Sequence, residues 1–421
     1  MNQILRMTAA CAAAALAGSV LAGCGGGSAS GGGSASGGAS ASGGGGSASG
    51  GRALPTCLTP GEPVALAVGA RSNSPTPTLT AGVTAAMNSA IAAHKKVTIV
   101  RLDGTPRIVF NQAFVQQGAN SQSRKADLNA YLTNLNQILQ GSGQPATDVR
   151  AQVPQADVLD ALAVAASEVP PGGNVIVMDS GLQTTAPLDF STGLLNDDPQ
   201  TIAGYLKSAG ELPDLTGRHV DFVSLGWTAL PQSALGIRYR AKVVAIWKKI
   251  AAAAGASCVA DDESADTQDA VPNRPPVAIV APPPAPAPPV SCSVTDLGDA
   301  NNVGFDFNST TFRDPPGARA TLQKLANVML RTKESVTLTG ATSSEGSNEH
   351  NLVLSLRRAD AVRAVLEHLG VPGSRITTSG VGSHLPGRLN DRGPDGQLLI
   401  GPAILNRKVV AKLTGSGCPP A

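Results

Sequence analysis

The stretch GATSSEGSNEHNLVLSLRRADAV, Gly340 to Val362, holds the densest set of side chains in the sequence able to grip a ligand. Asn351, Ser355 and Arg358 are spaced i, i+4 and i+7, which puts them on one face of a helix. Asn351 and Arg358 then stand about 10 Å apart along the axis. A guanidinium is a planar fork that fits a carboxylate with two parallel hydrogen bonds. The N-terminus of the helix adds backbone donors suited to an anion. The set fits a ligand groove, with Arg358 as its candidate fork. The plainer alternative is a surface arginine, solvated or paired with Glu345 or Glu349. Leu352, Leu356, Ala359, Val362, Val365, Leu366 and Leu369 make a wider apolar face, expected to be the buried one. Ser347 is placed to cap this helix and Gly370 to end it at C′.

Catalytic patterns are missing elsewhere. The five histidines, His94, His219, His350, His368 and His384, show no nucleophile–base spacing, and G-x-S-x-G and H-E-x-x-H are absent. No enzyme, no cofactor and no metal is expected. The sequence has 421 residues with a net charge of +2, too neutral for a dedicated nucleic-acid binder, so no nucleic-acid partner is expected.

The elements that must position the gripping residues lie in the last third of a chain divided by two low-complexity tracts. Residues 1–23 read as an export signal: an Ala-rich apolar stretch ending in Leu21-Ala22-Gly23 before Cys24. This resembles a bacterial lipobox, which implies that Cys24 carries lipid, palmitate among its acyl chains, and anchors the chain to a membrane. Residues 24–54 are almost pure Gly, Ser and Ala, a flexible tether of roughly 30 Å root-mean-square span. Residues 55–262 alternate apolar strands and helices, as in a doubly wound α/β sheet. Strands are expected at 64–68, 96–101, 174–178 and 219–225. Residues 263–290 are Pro-rich and read as a stiff polyproline spacer of roughly 60 Å over 272–290. Residues 291–418 read β-α-β-α-β-β, with a first strand at 303–307 and later strands at 335–339, 376–379 and 408–413.

Cysteines support that division. With Cys11 in the signal and Cys24 lipidated, Cys57, Cys258, Cys292 and Cys418 remain, and three pairings are open. Position favours Cys57–Cys258 and Cys292–Cys418, each closing one folded region, in the manner of exported proteins.

The first region resembles a von Willebrand factor type A domain, in topology more than in motif. That family holds a cation with Asp-x-Ser-x-Ser after its first strand, a later threonine and an aspartate after the fourth strand. Here Ala70-Arg71-Ser72-Asn73-Ser74 lacks the leading aspartate, Thr147 is a weak match to the threonine, and Asp179-Ser180-Gly181 matches the last element. A hard cation needs charged oxygen ligands, so Asp179 reads better as a turn or helix cap.

The second region is similar to the OmpA-like domain, an α+β peptidoglycan-binding module. The resemblance rests on Phe305-Asp306-Phe307-Asn308-Ser309, on Gly340, Thr342, Gly346, Asn351, Leu354, Ser355, Arg358, Ala359 and Val362 at fixed spacing, and on Asn406-Arg407-Lys408-Val409. It implies that Arg358 holds a carboxylate of diaminopimelate in the wall stem peptide, with support from Asn308, Asn351 and Arg407. The family aspartate that meets the amino end of that zwitterion is here Ser343. Loss of a charge-assisted contact weakens binding by roughly 1.5–3 kcal/mol. Glu345 or Glu349 is near enough in sequence to replace part of it. The segment 386–403 is longer than the family's usual loop and is expected at the groove's rim. The resemblance thus implies a lipid-anchored envelope protein facing the wall, in an outer membrane or on the outer face of a plasma membrane. The α/β domain would meet an unknown protein partner. The alternative is an envelope scaffold whose OmpA-like domain has lost wall binding.

Overall fold

A computed structural model describes residues 57–419, apart from Gly143, Pro145, Ala146, Glu263, Ala265, Pro284, Ala285, Phe307 and Asp395. Cys24, its lipid, the signal segment and most of the tether lie outside the described residues. Among those described, no helix is long and apolar enough to cross a membrane.

The first sheet has six strands: β1 (Val64–Val68), β2 (Lys96–Arg101), β3 (Arg107–Ala113), β4 (Asn174–Met178), β5 (His219–Val223) and β6 (Cys258–Asp262). Their order is β3-β2-β1-β4-β5-β6. All neighbours run parallel except β3, which folds back antiparallel on β2. β1 and β4 are buried at every position, because the sheet is covered on both faces and its central strands need no polar side. Around it lie α1 (Ala81–Ala92), α2 (Ser121–Leu139), α3 (Val158–Ser167), α4 (Pro199–Ala209) and α5 (Ile237–Ala253). One core joins β2, β3, α1 and α2, and a second is built around Trp247, Phe222 and Phe190. β3 and β6 escaped the sequence reading because edge strands alternate or carry charge, and their apolar signal is weak.

The second sheet is four-stranded, in the order β7 (Val294–Leu297), β10 (Val409–Thr414), β8 (Ser335–Gly340), β9 (Ile376–Gly380). β10 is antiparallel to both neighbours and β8 is parallel to β9. Helices α6 (Pro315–Thr332) and α7 (Asn348–His368) accompany this sheet, and a short α8 (Ile400–Asn406) precedes its last strand. Both disulfides form as the spacing implies, Cys57–Cys258 and Cys292–Cys418.

Four expectations are corrected. The first strand of the second domain is Val294–Leu297. Residues 303–306 instead run as a loop with a single bridge from Phe305 to Phe312, whose rings stack at 4.8 Å. The Pro-rich segment is not a free spacer. Val280 is fully buried in the first domain's core, Gln232 bonds its backbone at both N–H and carbonyl, and Tyr239 donates to Pro283. Buried backbone must be hydrogen-bonded, and here Gln232 supplies the partners that a polyproline chain cannot give itself. The rim loop does more than edge a groove. Its helix α8 sends Ile400 and Ile404 into the core around Trp247, with Leu398 packed alongside. The two domains are therefore joined through a common core. Finally, the buried face of α7 is not the one its leucines mark, as described next.

Candidate functional site

Helix α7 buries its polar stripe. Asn351, Ser355 and Arg358 are 3%, 0% and 4% exposed, whereas Leu352 and Leu356 are 44% and 40% exposed. The reason lies beneath the helix. A Cβ on Gly340 would sit 1.9 Å from the Ser355 carbonyl oxygen, and one on Gly380 would sit 2.4 Å from the Leu356 nitrogen. Bare backbone on β8 and β9 lets the first turns of α7 lie directly on the strand ends. Ser355 Oγ accepts from the Gly382 N–H at 2.9 Å and donates to the Leu352 carbonyl. Further along, Ala359, Val362 and Leu366 return to the apolar core.

The N-terminus of α7 is capped by Ser347, whose hydroxyl accepts from the His350 N–H. Asn351 Nδ2 donates back to the carbonyls of Glu345 at 2.8 Å and Ser343 at 3.4 Å. Asn351 thus pins the 343–346 loop. Gly346, at φ 83°, gives that loop its turn. The other side of the loop is held by Asp391 of the 386–403 segment, which accepts from the Ser344 N–H at 2.8 Å and from Arg388 at 2.5 Å. Burial works to raise the Asp391 pKa, but these hydrogen bonds, with one from Asn406, hold its carboxyl below the ordinary carboxylate range.

Arg358 meets neither Glu345 nor Glu349 in the arrangement considered from sequence. Its Nε donates to the Ser309 carbonyl at 2.9 Å and its Nη2 to the Asp306 carbonyl at 3.3 Å. Its guanidinium carbon lies 5.2 Å from the centre of the Phe305 ring. Burial, reinforced by the nearby charge of Arg407, brings its pKa down to about 10. A buried cation held by carbonyl dipoles and a ring face, with no carboxylate ion pair among the described residues, is disposed to bind an anion. Asn308 adopts φ 51°, and its Oδ1 accepts from His350 Nε2 at 2.6 Å.

These groups converge on one cavity of about 250 Å³. Asn308, Ser343, Asn351, Arg358 and Arg407, all singled out from the sequence, line it together with Glu345. One lining residue comes from the first domain. Tyr205, on α4, is 3% exposed, lies 4.9 Å from the Arg407 guanidinium, and lines the same cavity as Ser343 and Glu345. Burial pushes its phenol up to about 12. Two Arg407 nitrogens, Nε and Nη2, are buried with no hydrogen-bond partner among the described residues. Tyr205 was missed because nothing in its surroundings, GYLKS, distinguishes it from an ordinary core tyrosine.

Behind Arg407 lies a charged seam between the domains. Asp198 of the first domain is 3.6 Å from Arg313 of the second, which also pairs with Asp299 at 2.6 Å. Asp197 is fully buried with neither carboxylate oxygen hydrogen-bonded among the described residues. Burial pushes it up to about 8, against the attraction of Arg407 and with the help of Asp299.

The residues matched to a cation cage in the first domain are arranged otherwise. Arg71 Nη2 lies 2.7 and 2.6 Å from the Asp179 carboxylate oxygens and 3.1 Å from Ser180 Oγ, fully buried. Asp179 also accepts from the Gly181 N–H, the turn cap foreseen for it. Arg71 thus supplies the positive charge at this end of β1 and β4. Thr147 is exposed and bonds the Gln144 carbonyl instead.

Residues 304–396 match the model of the OmpA family. Over 123 residues, 29% of this chain, the sequence is 35% identical to the peptidoglycan-associated lipoprotein of Rhizobium meliloti, covering 64% of it. It is 32% identical to that of Brucella melitensis over the same length, covering 67% of it. The chain spans 45% to 64% of the length of the first curated relatives it matches. Among solved structures, the peptidoglycan-associated lipoprotein from Burkholderia pseudomallei is 27% identical, with 26% of this chain and 86% of that one covered and a TM-score of 0.22. Through the domain that carries Arg358 and Asn351, the chain belongs to the OmpA family.

Proposed function

We propose that this protein is a lipid-anchored component of a bacterial cell envelope that binds peptidoglycan non-covalently through its OmpA-like domain. Cys24 would carry the anchor, Arg358 would take a carboxylate of the diaminopimelate stem peptide, and Asn308, Asn351, Ser343 and Arg407 would shape the groove. The observation that carries the reading is the convergence of all five residues on one cavity around a buried arginine whose hydrogen bonds go to backbone carbonyls. The relatives' printed names, peptidoglycan-associated lipoproteins, agree with it. The role is binding and anchoring rather than catalysis. The first domain is read as von Willebrand A-like, on its strand order and antiparallel edge, and would present an interaction surface to another envelope protein.

A second reading has one observation in its favour. Ser343 offers a hydroxyl where the resembling family places a carboxylate, and a scaffold that no longer grips the wall would tolerate that loss. Co-sedimentation of the full-length protein with purified insoluble peptidoglycan decides between them. Pelleting by the native protein, reduced at least about tenfold by Arg358→Ala, supports the wall-binding reading. Pelleting by Ser343→Asp alone supports the scaffold.

A further inference from the structure

The Pro-rich segment sits on the first domain as a bound peptide would. We infer that Ser72, Gln232 and Tyr239 mark a groove that recognises a polyproline-type peptide with aliphatic side chains three residues apart. The chain fills this groove with its own residues 277–283, and a proline-rich segment of another envelope protein takes their place when the partner binds. The inference rests on the reading of the first domain as an interaction surface, not on wall binding, and gives that surface a position and a ligand class.

The period of the contacts is the first support. A polyproline II helix has three residues per turn, so every third residue returns to one face. Val277 and Val280 are buried and Pro283 is half-buried, while their neighbours Pro276, Ala278, Ile279, Ala281 and Pro282 are exposed. The hydrogen bonds keep the same step. The Val277 N–H donates to Ser72 Oγ at 3.1 Å and the Val280 N–H to Gln232 Oε1 at 2.7 Å. Gln232 Nε2 returns a bond to the Val280 carbonyl at 2.9 Å, and the Tyr239 hydroxyl donates to the Pro283 carbonyl at 2.8 Å. Each bond joins a side chain of the domain to strap backbone, and residues 274–283 belong to no helix or strand. Reading a proline-rich chain through its backbone and one apolar face is how groove domains bind such peptides, because the preformed chain loses little entropy on docking. The second support is what the strap leaves uncovered. Leu230 is 81% exposed and lines a cavity of about 270 Å³ with Ser72 and Arg274. Ile237, one turn of sequence before Tyr239 on α5, is 78% exposed. A tethered strap competes at an effective concentration on the order of millimolar, so an incoming peptide must make contacts that the strap omits. Leu230 and Ile237 offer them at the rim of the groove.

The probe is a fluorescent synthetic peptide with the sequence of residues 272–283, titrated by anisotropy against the full-length protein in detergent. The double variant Val277→Ser/Val280→Ser empties the groove from the strap side and leaves the domain's own groove residues intact. It should bind the peptide at least about tenfold more tightly than the native protein does. Adding Gln232→Ala to that variant should weaken the peptide about tenfold or more, and so should deleting Ala278 from the peptide, which moves its valines from three residues apart to two. No binding by the emptied protein, equal binding by native and emptied proteins, or binding indifferent to Gln232 and to the valine spacing overturns the groove. Hydrogen exchange of the native protein decides the same point without a variant. The Val277 and Val280 amides should exchange about a hundredfold or more faster than those of β4, because a docked ligand opens locally. Protection equal to that of β4 makes the strap an integral part of the core and overturns the proposal. A doubled mass in light scattering, lost in the double variant, assigns the groove to a second copy of this chain and overturns the partner protein. Pelleting with peptidoglycan reads the wall-binding proposal separately, so failure of one is distinguishable from failure of the other.

Discussion

At the scale of single residues, the central feature is an arginine that forms no ion pair with a carboxylate among the described residues. Arg358 keeps its charge in a buried place by donating to two carbonyls and facing the Phe305 ring. Removing it should cost binding far more than folding, because its partners are backbone groups that water can reach once the side chain is gone. Lysine should not rescue it, since a point charge cannot make the fork. Peptidoglycan pelleting should fall at least about tenfold for both Arg358→Ala and Arg358→Lys, with thermal midpoints changed little. Asn351 works in the opposite sense. It is buried and satisfies two loop carbonyls, so Asn351→Ala should destabilise the fold by about 1–3 kcal/mol in denaturant titrations. The positions of these residues were legible in the sequence because a fixed spacing on one helix survives without knowledge of the fold. The partners were not: Arg358 finds Ser309 and Asp306 across the chain, and Tyr205 arrives from a different domain.

At the scale of elements, the two glycines under α7 explain why its face is inverted. Periodicity marks Leu352 and Leu356 as core because apolar side chains ordinarily seek it. The helix can bury Asn351 and Ser355 only because Gly340 and Gly380 let it touch the strand backbone, where polar groups find partners. Gly340→Ala should therefore lose about 1–3 kcal/mol or more from overpacking against a carbonyl that cannot move aside. Urea midpoints should show the loss even with Arg358 intact. The strands 64–68, 96–101 and 174–178 were read to the residue, since buried parallel strands are continuous apolar runs. β3 was passed over although Asp103-Gly104 precedes it, a turn signal that only the pairing Ile99↔Phe110 and Thr98↔Asn111 makes sense of. The Pro-rich segment misled for the converse reason. Its composition predicts a free rod, and only the three-dimensional position of Gln232 turns it into a packed strap.

At the scale of the molecule, the two domains share a core and a charged seam, so the groove and the first domain are mechanically one unit. Ile404→Ala, which removes an anchor of α8 from the core around Trp247, should cost about 2–5 kcal/mol. The seam also gives stability a pH dependence. Asp197 has its pKa raised by burial from 3.8 to about 8, with Arg407 and Arg313 opposing and Asp299 assisting. The folded protein then binds a proton that the unfolded chain has released, and stability falls as pH rises from about 4 to about 8. Lys242, whose amine reaches the Asp197 carbonyl and whose pKa is lowered chiefly by burial, lies on the same seam. Asp197→Asn should be more stable than the native protein at pH 8, and the gap should close towards pH 4 in thermal melts at constant salt. None of this seam was visible beforehand, because Asp197, Asp299 and Arg313 are far apart in sequence and unremarkable where they stand.

The claim on which the account rests is that Arg358 binds a carboxylate of the wall peptide. The measurement is the affinity of the full-length protein for two soluble stem peptides that differ only in whether the diaminopimelate side-chain carboxylate is free or amidated. The account predicts that amidation weakens binding to the native protein by about tenfold or more and leaves the already weak binding of Arg358→Ala unchanged. Equal affinity of the native protein for both peptides would contradict it.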